Sequence, residues 1–351
     1  MAGTLLSAEA LSALHKSVEE MSVDGDSPPP QFIVKESSSI VSTYSSPSVP
    51  IPIIDISLLS SQDSEELQKL RSALSSGGCF QAIGHGIPNS FLDKFRAVVK
   101  QFFALPLEEK QKYSRAADEV EGYGHDMVFS EKQILDWCSR LFLKVFPEDE
   151  RRMNLWPQTP NDFREMLDDY ASKIKGITNI ILKAMAKSLN LEENSFLSQC
   201  GDRPIIQARF NFYPPCPRPD TVLGVKAHAD GSSITVLLQD EEVEGLQILE
   251  DGKWIKVPVI PHALVVNLGE QMQIMSNGIF KSPLHRVLTN SDKLRISVAL
   301  FNWPELDKEI GPVDQLIDEK RPKLYRDVTN FNVINLECYQ KGKRAIEEVK
   351  I

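Results

Sequence analysis

Three pairs of polar residues in the second half of the chain share one geometric property. Asn211 and Tyr213, His228 and Asp230, and Arg295 and Ser297 each lie two apart within a strand-like run, so both side chains of a pair leave the same face of an extended chain. A polar pair on a face that should be apolar is costly unless its members satisfy each other or hold a ligand. Three such pairs point to a polar interior. His228 and Asp230, with His285 57 residues beyond His228, supply two imidazoles and one carboxylate, the donor set that holds non-haem Fe(II) while leaving three coordination positions open for oxygen chemistry. His-x-Asp alone is a weak signal, because a strand His beside an Asp is more often a surface pair or a satisfied core histidine. Arg295 follows His285 by ten residues, and Ser297 lies two further on. A guanidinium forks onto a carboxylate with two charge-assisted bonds and a serine hydroxyl adds a third, which suits the far carboxylate of a dicarboxylic cosubstrate. Without the histidines, that arginine would read as a surface residue on an edge strand.

These pairs need a scaffold of short strands. From Ile205 the sequence alternates with period two in segments broken by Pro or Gly, at 205–213, 222–228, 233–239, 245–249, 253–257, 263–267, 284–289 and 294–303. Strands this closely spaced indicate an antiparallel sandwich or barrel, and a jelly roll fits best. The first half reads as mostly helical. Residues 51–56 and 79–83 are short apolar strands around a helical pattern at Leu67, Leu70 and Leu74, while 90–116 and 160–198 carry apolar positions three and four apart among Lys and Glu, the pattern of long helices. Leu5, Leu11, Leu14, Val18 and Met21 predict a helix over 4–21, and the Ser- and Pro-rich stretch from Ser22 to Pro50 reads as a linker or wrapping arm. The fold class is therefore mainly β with α, a double-stranded β-helix (jelly roll) core supported by N-terminal and flanking helices. Four regions are expected: 1–50 as N-terminal helix and linker, 51–200 as a helical region, 201–310 as the jelly-roll core, and 311–351 as a C-terminal helix or lid.

Composition narrows the function. The chain has 351 residues, 25% charged and 42% hydrophobic, a globular mixture that does not depend on disulfides or a structural metal for its core. With 39 Lys and Arg against 49 Asp and Glu, its formal charge is -10. No basic block offsets this locally, so the counterion release that dominates nucleic-acid affinity has no source, and neither nucleic acid nor an anionic membrane is an expected partner. No apolar run approaches the roughly 18 residues of a membrane span, and Glu9 precedes the first basic residue, Lys16, which is wrong for a secretory signal. A cytoplasmic monomer is expected. Five scattered cysteines without a CxxC pair fit a reducing compartment.

The motifs also converge on a family. Asn211-Phe212-Tyr213-Pro214-Pro215-Cys216-Pro217, the His228, Asp230 and His285 set, Arg295-Ile296-Ser297, and the run Gly78-Cys79-Phe80-Gln81-Ala82-Ile83-Gly84-His85-Gly86-Ile87 together resemble the plant 2-oxoglutarate- and Fe(II)-dependent dioxygenases. The resemblance covers roughly residues 50–340, with the motifs in the family's order. Glu121-Gly122-Tyr123-Gly124 and Leu135-Asp136-Trp137 look like its specialised-metabolism branch. The resemblance implies that His228, Asp230 and His285 ligate Fe(II), that Arg295 and Ser297 hold the C5 carboxylate of the cosubstrate 2-oxoglutarate, and that Tyr213 and Asn211 support it. It also implies an oxidoreductase that uses O2 to hydroxylate, demethylate or desaturate a small apolar plant metabolite, with ascorbate as an accessory reductant. Two positions depart from the family pattern: Ala229 stands where Thr or Ser is usual, and Gly84 where Asn is usual. Neither is a ligand position.

Parity locates the rest of the pocket. Counting by twos from Arg295 reaches Ser297, Ala299, Phe301 and Trp303, so on a straight strand Phe301 and Trp303 extend the cosubstrate site as aromatic walls for an apolar, ring-bearing substrate. A bulge would break that parity. Phe142 and Phe129, in the loop and strand before the barrel, are further candidates. His85 reads as structural, and His15, His125 and His262 have no partner at ligand spacing. Cys216, in a Pro-rich turn without a basic neighbour, reads as a small buried hydrophobe, and Met272 and Met275 as core. Two other functions remain compatible with the scaffold: an Fe(II) oxidase of the same fold that does not use 2-oxoglutarate, and a non-catalytic small-molecule binder.

Overall fold

The computed structural model describes residues 16–25, 27–34, 50–128 and 133–351. Its strands are β1 (Ile53–Asp55), β2 (Cys79–Ile83), β3 (Gly122–Gly124), β4 (Ser139–Phe146), β5 (Ile205–Tyr213), β6 (Leu223–His228), β7 (Ile234–Leu238), β8 (Leu246–Glu250), β9 (Lys253–Lys256), β10 (Leu264–Leu268), β11 (His285–Leu288) and β12 (Arg295–Trp303). They form an eight-stranded sheet, ordered β1-β2-β10-β7-β12-β5-β4-β3, and a four-stranded sheet, ordered β6-β11-β8-β9. The β1–β2 pair is parallel and the other pairs are antiparallel. The strand segments expected from residue 205 onward form as β5 to β12, because alternation there reflects two different faces. On the larger sheet Phe210, Val236, Val266 and Val298 enter the main apolar core. One step along each strand, Asn211, Thr235, Asn267 and Ser297 face a cavity instead. Val225, Leu246, Ile248 and Val287 of the smaller sheet close its other side.

Helices cover the apolar face. They are α1 (Val18–Asp24), α2 (Ile56–Ser60), α3 (Ser64–Ser76), α4 (Asn89–Phe103), α5 (Leu107–Gln111), α6 (Phe163–Ser188), α7 (Ser195–Cys200), α8 (Glu270–Met275) and α9 (Phe331–Gln340). Along α6, Phe163, Met166, Leu167, Tyr170, Ile174, Ile177, Ile181 and Met185 are buried at three- and four-residue steps, the stripe that an amphipathic helix lays on a core. That stripe shares one cluster with Phe210, Val236 and Leu300 of the sheet, and each fully buried large side chain contributes about 1.5–3 kcal/mol. At the other end of the chain, Ser17 and Glu20 cap α1 reciprocally, a capping box that starts the helix at Val18. Of the helix expected over 4–21, residues 4–15 lie outside the described residues, Lys16 and Ser17 precede the helix, and it runs past Met21 to Asp24. Further on, Ile33 bridges Val222, and Phe32 meets Trp137 edge-on with ring centroids 5.4 Å apart.

The first half is less helical than its composition suggests. β4 pairs with β5 and β3 with β4, which carries the larger sheet well past the strands expected from the sequence. Every residue of β4 except Lys144 is buried. A strand covered on both faces shows no alternation, so it reads as an undifferentiated apolar run.

Candidate active site

His228 ends β6, His285 opens β11, and the two are cross-strand partners with ring centroids 4.2 Å apart. Asp230 lies in the turn that follows β6. Its Oδ1 is 3.4 Å from His228 Nε2 and 3.5 Å from His285 Nε2, while Oδ2 accepts bonds from Thr235 Oγ1 at 2.5 Å and Asn267 Nδ2 at 2.8 Å. The Nδ1 of each imidazole faces a backbone carbonyl, Lys226 O at 2.9 Å for His228 and Pro283 O at 3.3 Å for His285. A carbonyl only accepts, so each Nδ1 carries a proton, and Nε2 is the ring nitrogen turned toward the other two residues, the one a metal would take. One donor atom from each of the three residues falls within 4.8 Å of the others, the single cluster of this kind among the described residues. Burial, then the neighbouring His228, push His285 down to about 4, which leaves it neutral as a ligand must be. Burial works against the charge on Asp230, but the bonds its carboxylate accepts, Thr235 Oγ1 among them, help hold it below the usual range.

The second constellation faces the first across the cavity. β12 and β5 pair Arg295 with Tyr213 and Ser297 with Asn211. The guanidinium carbon of Arg295 lies 5.1 Å from the Tyr213 ring centroid, and its Nε donates to Val243 O at 3.2 Å. Nη1 and Nη2 are buried and have no hydrogen-bond partner among the described residues. Two orphaned donors on a guanidinium that is 2% exposed are costly unless a carboxylate takes both. The donor set at His228, Asp230 and His285 fits Fe(II), and the orphaned fork fits one end of a dicarboxylate.

Between the sheets lies a cavity of about 230 Å³, whose wall continues from Arg295 and Ser297 through Ala299, Phe301 and Trp303. β12 stays paired with β5 residue by residue from Arg295 to Trp303, so no bulge breaks the parity. Phe142 lines the same cavity and stacks on Phe301, centroids 6.3 Å apart and planes at 24°. Phe129 lies outside the described residues. A charged group on this wall escaped the sequence reading. Arg209 forks onto Asp126 through Nη1–Oδ1 at 3.0 Å and Nη2–Oδ2 at 2.9 Å, and Arg140 Nε donates to Oδ1 at 3.0 Å. Burial opposes the Asp126 charge, yet Arg209 and then Arg140 hold its carboxyl well below the usual range. Burial pushes Arg140 down to about 10, so it stays cationic at neutral pH. Continuing the parity count back from Tyr213 and Asn211 would have reached Arg209, whereas nothing local marks Asp126.

α9 covers one side of the site. Asn335 and Tyr339, one turn apart and so on one helix face, line the cavity with Leu336. The Tyr339 ring stands edge-on to His228 at 5.7 Å and 88°. A Cβ at Gly231 would lie 2.3 Å from the Asn335 side chain, so a larger residue there would have to displace that amide. Ala229 lines the cavity beside the histidines. Gly84 has φ +59, and a Cβ there would lie 2.0 Å from the Asp55 carboxylate, so a side chain at this position would have to displace the group that caps α2. The other histidines take no part. His85 Nε2 meets His262 O at 2.9 Å, His262 Nε2 meets Asp93 at 2.8 Å, His125 is exposed, and His15 lies outside the described residues. Cys216, Met272 and Met275 are buried.

Comparison with known proteins places this geometry. Residues 204–304 match the family model of the 2OG-Fe(II) oxygenase superfamily, and residues 51–159 match that of the non-haem dioxygenase in morphine synthesis N-terminal region. The chain is 39% identical to protein SRG1 of Arabidopsis thaliana over 84% of this chain and 81% of that protein. It is also 39% identical to codeine O-demethylase of Papaver somniferum, over 86% and 85%. The crystal structure of JOX2 in complex with 2OG, Fe and JA superposes with a TM-score of 0.86 at 33% identity, covering 96% of this chain and 98% of that one. Its structural neighbours share the double-stranded β-helix core of these oxygenases. The chain belongs to the 2OG-Fe(II) oxygenase superfamily and is a plant Fe(II)- and 2-oxoglutarate-dependent dioxygenase.

Proposed function

We propose that this dioxygenase oxidises a C–H bond of a small, largely apolar, ring-bearing metabolite. One observation carries the reading: the His-Asp-His cluster, the orphaned Arg295 guanidinium and the stacked Phe142 and Phe301 rings all line a single cavity. In it His228, Asp230 and His285 hold Fe(II), Arg295 and Ser297 take the C5 carboxylate of 2-oxoglutarate with Tyr213 and Asn211 supporting it, and Phe301, Trp303 and Phe142 meet the substrate; Phe129, outside the described residues, is a further proposed substrate contact. When bound, Fe(II) couples the reduction of O2 and the decarboxylation of 2-oxoglutarate to oxidation of the substrate. The chain's own contribution is placement. Its imidazoles turn Nε2 toward the centre, Thr235 and Asn267 tie back the second oxygen of Asp230, and Tyr213 keeps its proton because burial pushes its phenol up. Aromatic walls then decide which C–H bond lies nearest the metal. A carbon beside a methoxy oxygen leads to demethylation, and other positions to hydroxylation or desaturation. Relatives named for O-demethylation of codeine and of a flavonoid support the first outcome.

The proposal includes the division into 1–50, 51–200, 201–310 and 311–351, the jelly-roll description of the core, and ascorbate as accessory reductant. It also includes a cytoplasmic monomer that works without nucleic acid or membrane. The formal charge of -10 supports the absence of a nucleic-acid partner, and no helix among the described residues is long and apolar enough to cross a membrane. The test is untargeted profiling of a plant extract incubated with the Fe(II)-loaded enzyme, with and without 2-oxoglutarate. A metabolite that gains one oxygen or loses a methylene, in step with succinate release and only when 2-oxoglutarate is present, is the expected result. Turnover that proceeds without 2-oxoglutarate would overturn the proposal.

A further inference from the structure

The Arg209 guanidinium touches more than Asp126. Its Nε lies 2.7 Å from the Asn211 side chain. Arginine has donors only, so the atom it meets must be the amide oxygen Oδ1, which fixes the orientation of an amide that could otherwise be turned either way. The Cys138 sulfur lies 3.8 Å from the same oxygen, but its single proton has a nearer acceptor in Ser139 O at 3.2 Å, so the arginine decides the orientation. With Oδ1 thus engaged, the group left to face Ser297 is Nδ2, and it donates to Ser297 Oγ at 3.3 Å. An amide N–H cannot accept. Ser297 therefore receives a bond from Asn211 and keeps its own O–H for another acceptor.

We infer that Arg209, locked in place by Asp126, is a positioning residue for the cosubstrate: it gives the chain Arg209, Asn211, Ser297 a single hydrogen-bond direction, so that the Ser297 hydroxyl donates its proton to the 2-oxoglutarate carboxylate held by Arg295. The inference rests on the proposed clamp role of Arg295 and Ser297. If the Asn211 amide were reversed, its oxygen would capture the serine proton and the carboxylate would meet a lone pair. Asp126 matters because both its oxygens engage the two Nη atoms of Arg209, leaving Nε aimed along the strand at Asn211 instead of free to turn away. Arg209, Asn211 and Tyr213 share one face of β5, and Phe142 is the register partner of Arg209. The chain of bonds thus begins on the substrate side of the cavity and ends at the cosubstrate clamp.

The test is calorimetric titration of 2-oxoglutarate into the full-length protein loaded with Mn(II), which reports binding without turnover. Ser297→Ala is expected to weaken binding about ten- to hundredfold, the loss of one charge-assisted bond. Arg209→Met is expected to weaken it by about the same factor, and the double variant to be no weaker than the weaker single, because the two changes break one chain. Arg209→Lys, which keeps a donor and the charge beside Asp126, should recover part of the loss. Should Arg209→Met not fold, Asn211→Leu interrupts the same chain without unpairing Asp126 and should be equally non-additive with Ser297→Ala. Losses that multiply in the double variant, or unchanged affinity in Arg209→Met, overturn the inference while leaving the clamp reading intact. Unchanged affinity in Ser297→Ala overturns that reading and the inference with it. A residue that only stabilised the fold would lower the melting temperature without coupling to Ser297.

Discussion

Arg295 and Tyr213 are register partners on adjacent strands, and the guanidinium carbon of one stands 5.1 Å from the ring centroid of the other. Two glycines close in on the pair. A Cβ at Gly245 would come within 3.1 Å of Arg295 Cδ, and one at Gly224 within 2.8 Å of the Tyr213 ring. The arginine therefore has little freedom, and its two unbonded Nη atoms are presented in a fixed place. A fork that is already oriented loses little entropy when a carboxylate arrives.

Arg295→Leu should raise the 2-oxoglutarate requirement more than tenfold while iron content stays near that of the native enzyme. Each charge-assisted bond forfeited contributes about 1.5–3 kcal/mol. Steady-state KM for 2-oxoglutarate and metal analysis of the purified variant check this together. An unchanged KM would place the cosubstrate carboxylate elsewhere.

Gly224→Ala tests the same clamp from behind. The added methyl must displace the Tyr213 ring, on which Arg295 rests, because 2.8 Å is closer than carbon atoms approach. Overpacking of this kind costs about 1–3 kcal/mol, so a lowered melting temperature is expected along with a several-fold rise in KM for 2-oxoglutarate. A variant that melts lower but binds 2-oxoglutarate normally would show that Tyr213 does not position the arginine.

Asp230 divides its two oxygens between tasks, Oδ1 toward the histidines and Oδ2 toward Thr235 and Asn267. His228→Ala, Asp230→Ala and His285→Ala should each abolish turnover by loss of iron, with circular dichroism unchanged. Asn267→Leu should retain all three donors but bind Fe(II) about 10- to 100-fold more weakly, the usual consequence of removing a group that orients a ligand. Competition with a chelator of known affinity measures that factor. Native metal affinity in Asn267→Leu would mean that Thr235 alone holds the carboxylate in place.

How far this site can be read from residues depends on how local its signals are. Arg295 and Ser297, Asn211 and Tyr213, and His228 and Asp230 lie two apart on strands with one wet and one dry face, so period two reveals both the strands and the faces. Phe301 and Trp303 followed by the same count because β12 runs without a bulge. Arg140 and Asp126 were not legible, since they meet Arg209 only after β4 docks beside β5, and β4 hides its alternation by being buried on both faces. Tyr339 and Asn335 were equally hidden, because which face of a charged C-terminal helix turns inward is decided by what it packs against.

The aromatic wall gives the most direct handle on the substrate. Phe301 lies nearer to Ser297 along β12 than Trp303 does, and its ring is stacked on Phe142, so the two phenylalanines act as one surface contributed by different strands. Removing either should open the same part of the cavity. Phe301→Ala and Phe142→Ala are therefore expected to weaken substrate binding by about 1–3 kcal/mol each, with a combined loss smaller than the sum because each ring already depends on the other. A loosened substrate also presents more than one C–H bond, so mixed products should accompany the weaker binding. Trp303→Ala, at the end of the strand, should have the smaller effect on both. In all three variants the KM for 2-oxoglutarate should stay near the native value, because Arg295 and Ser297 are untouched. Product distribution by mass spectrometry, read beside succinate release for each variant, separates these outcomes. A single product with native kinetics from both phenylalanine variants would mean that the substrate rests on another wall of the cavity, with Leu336 and Tyr339 of α9 the next to be changed.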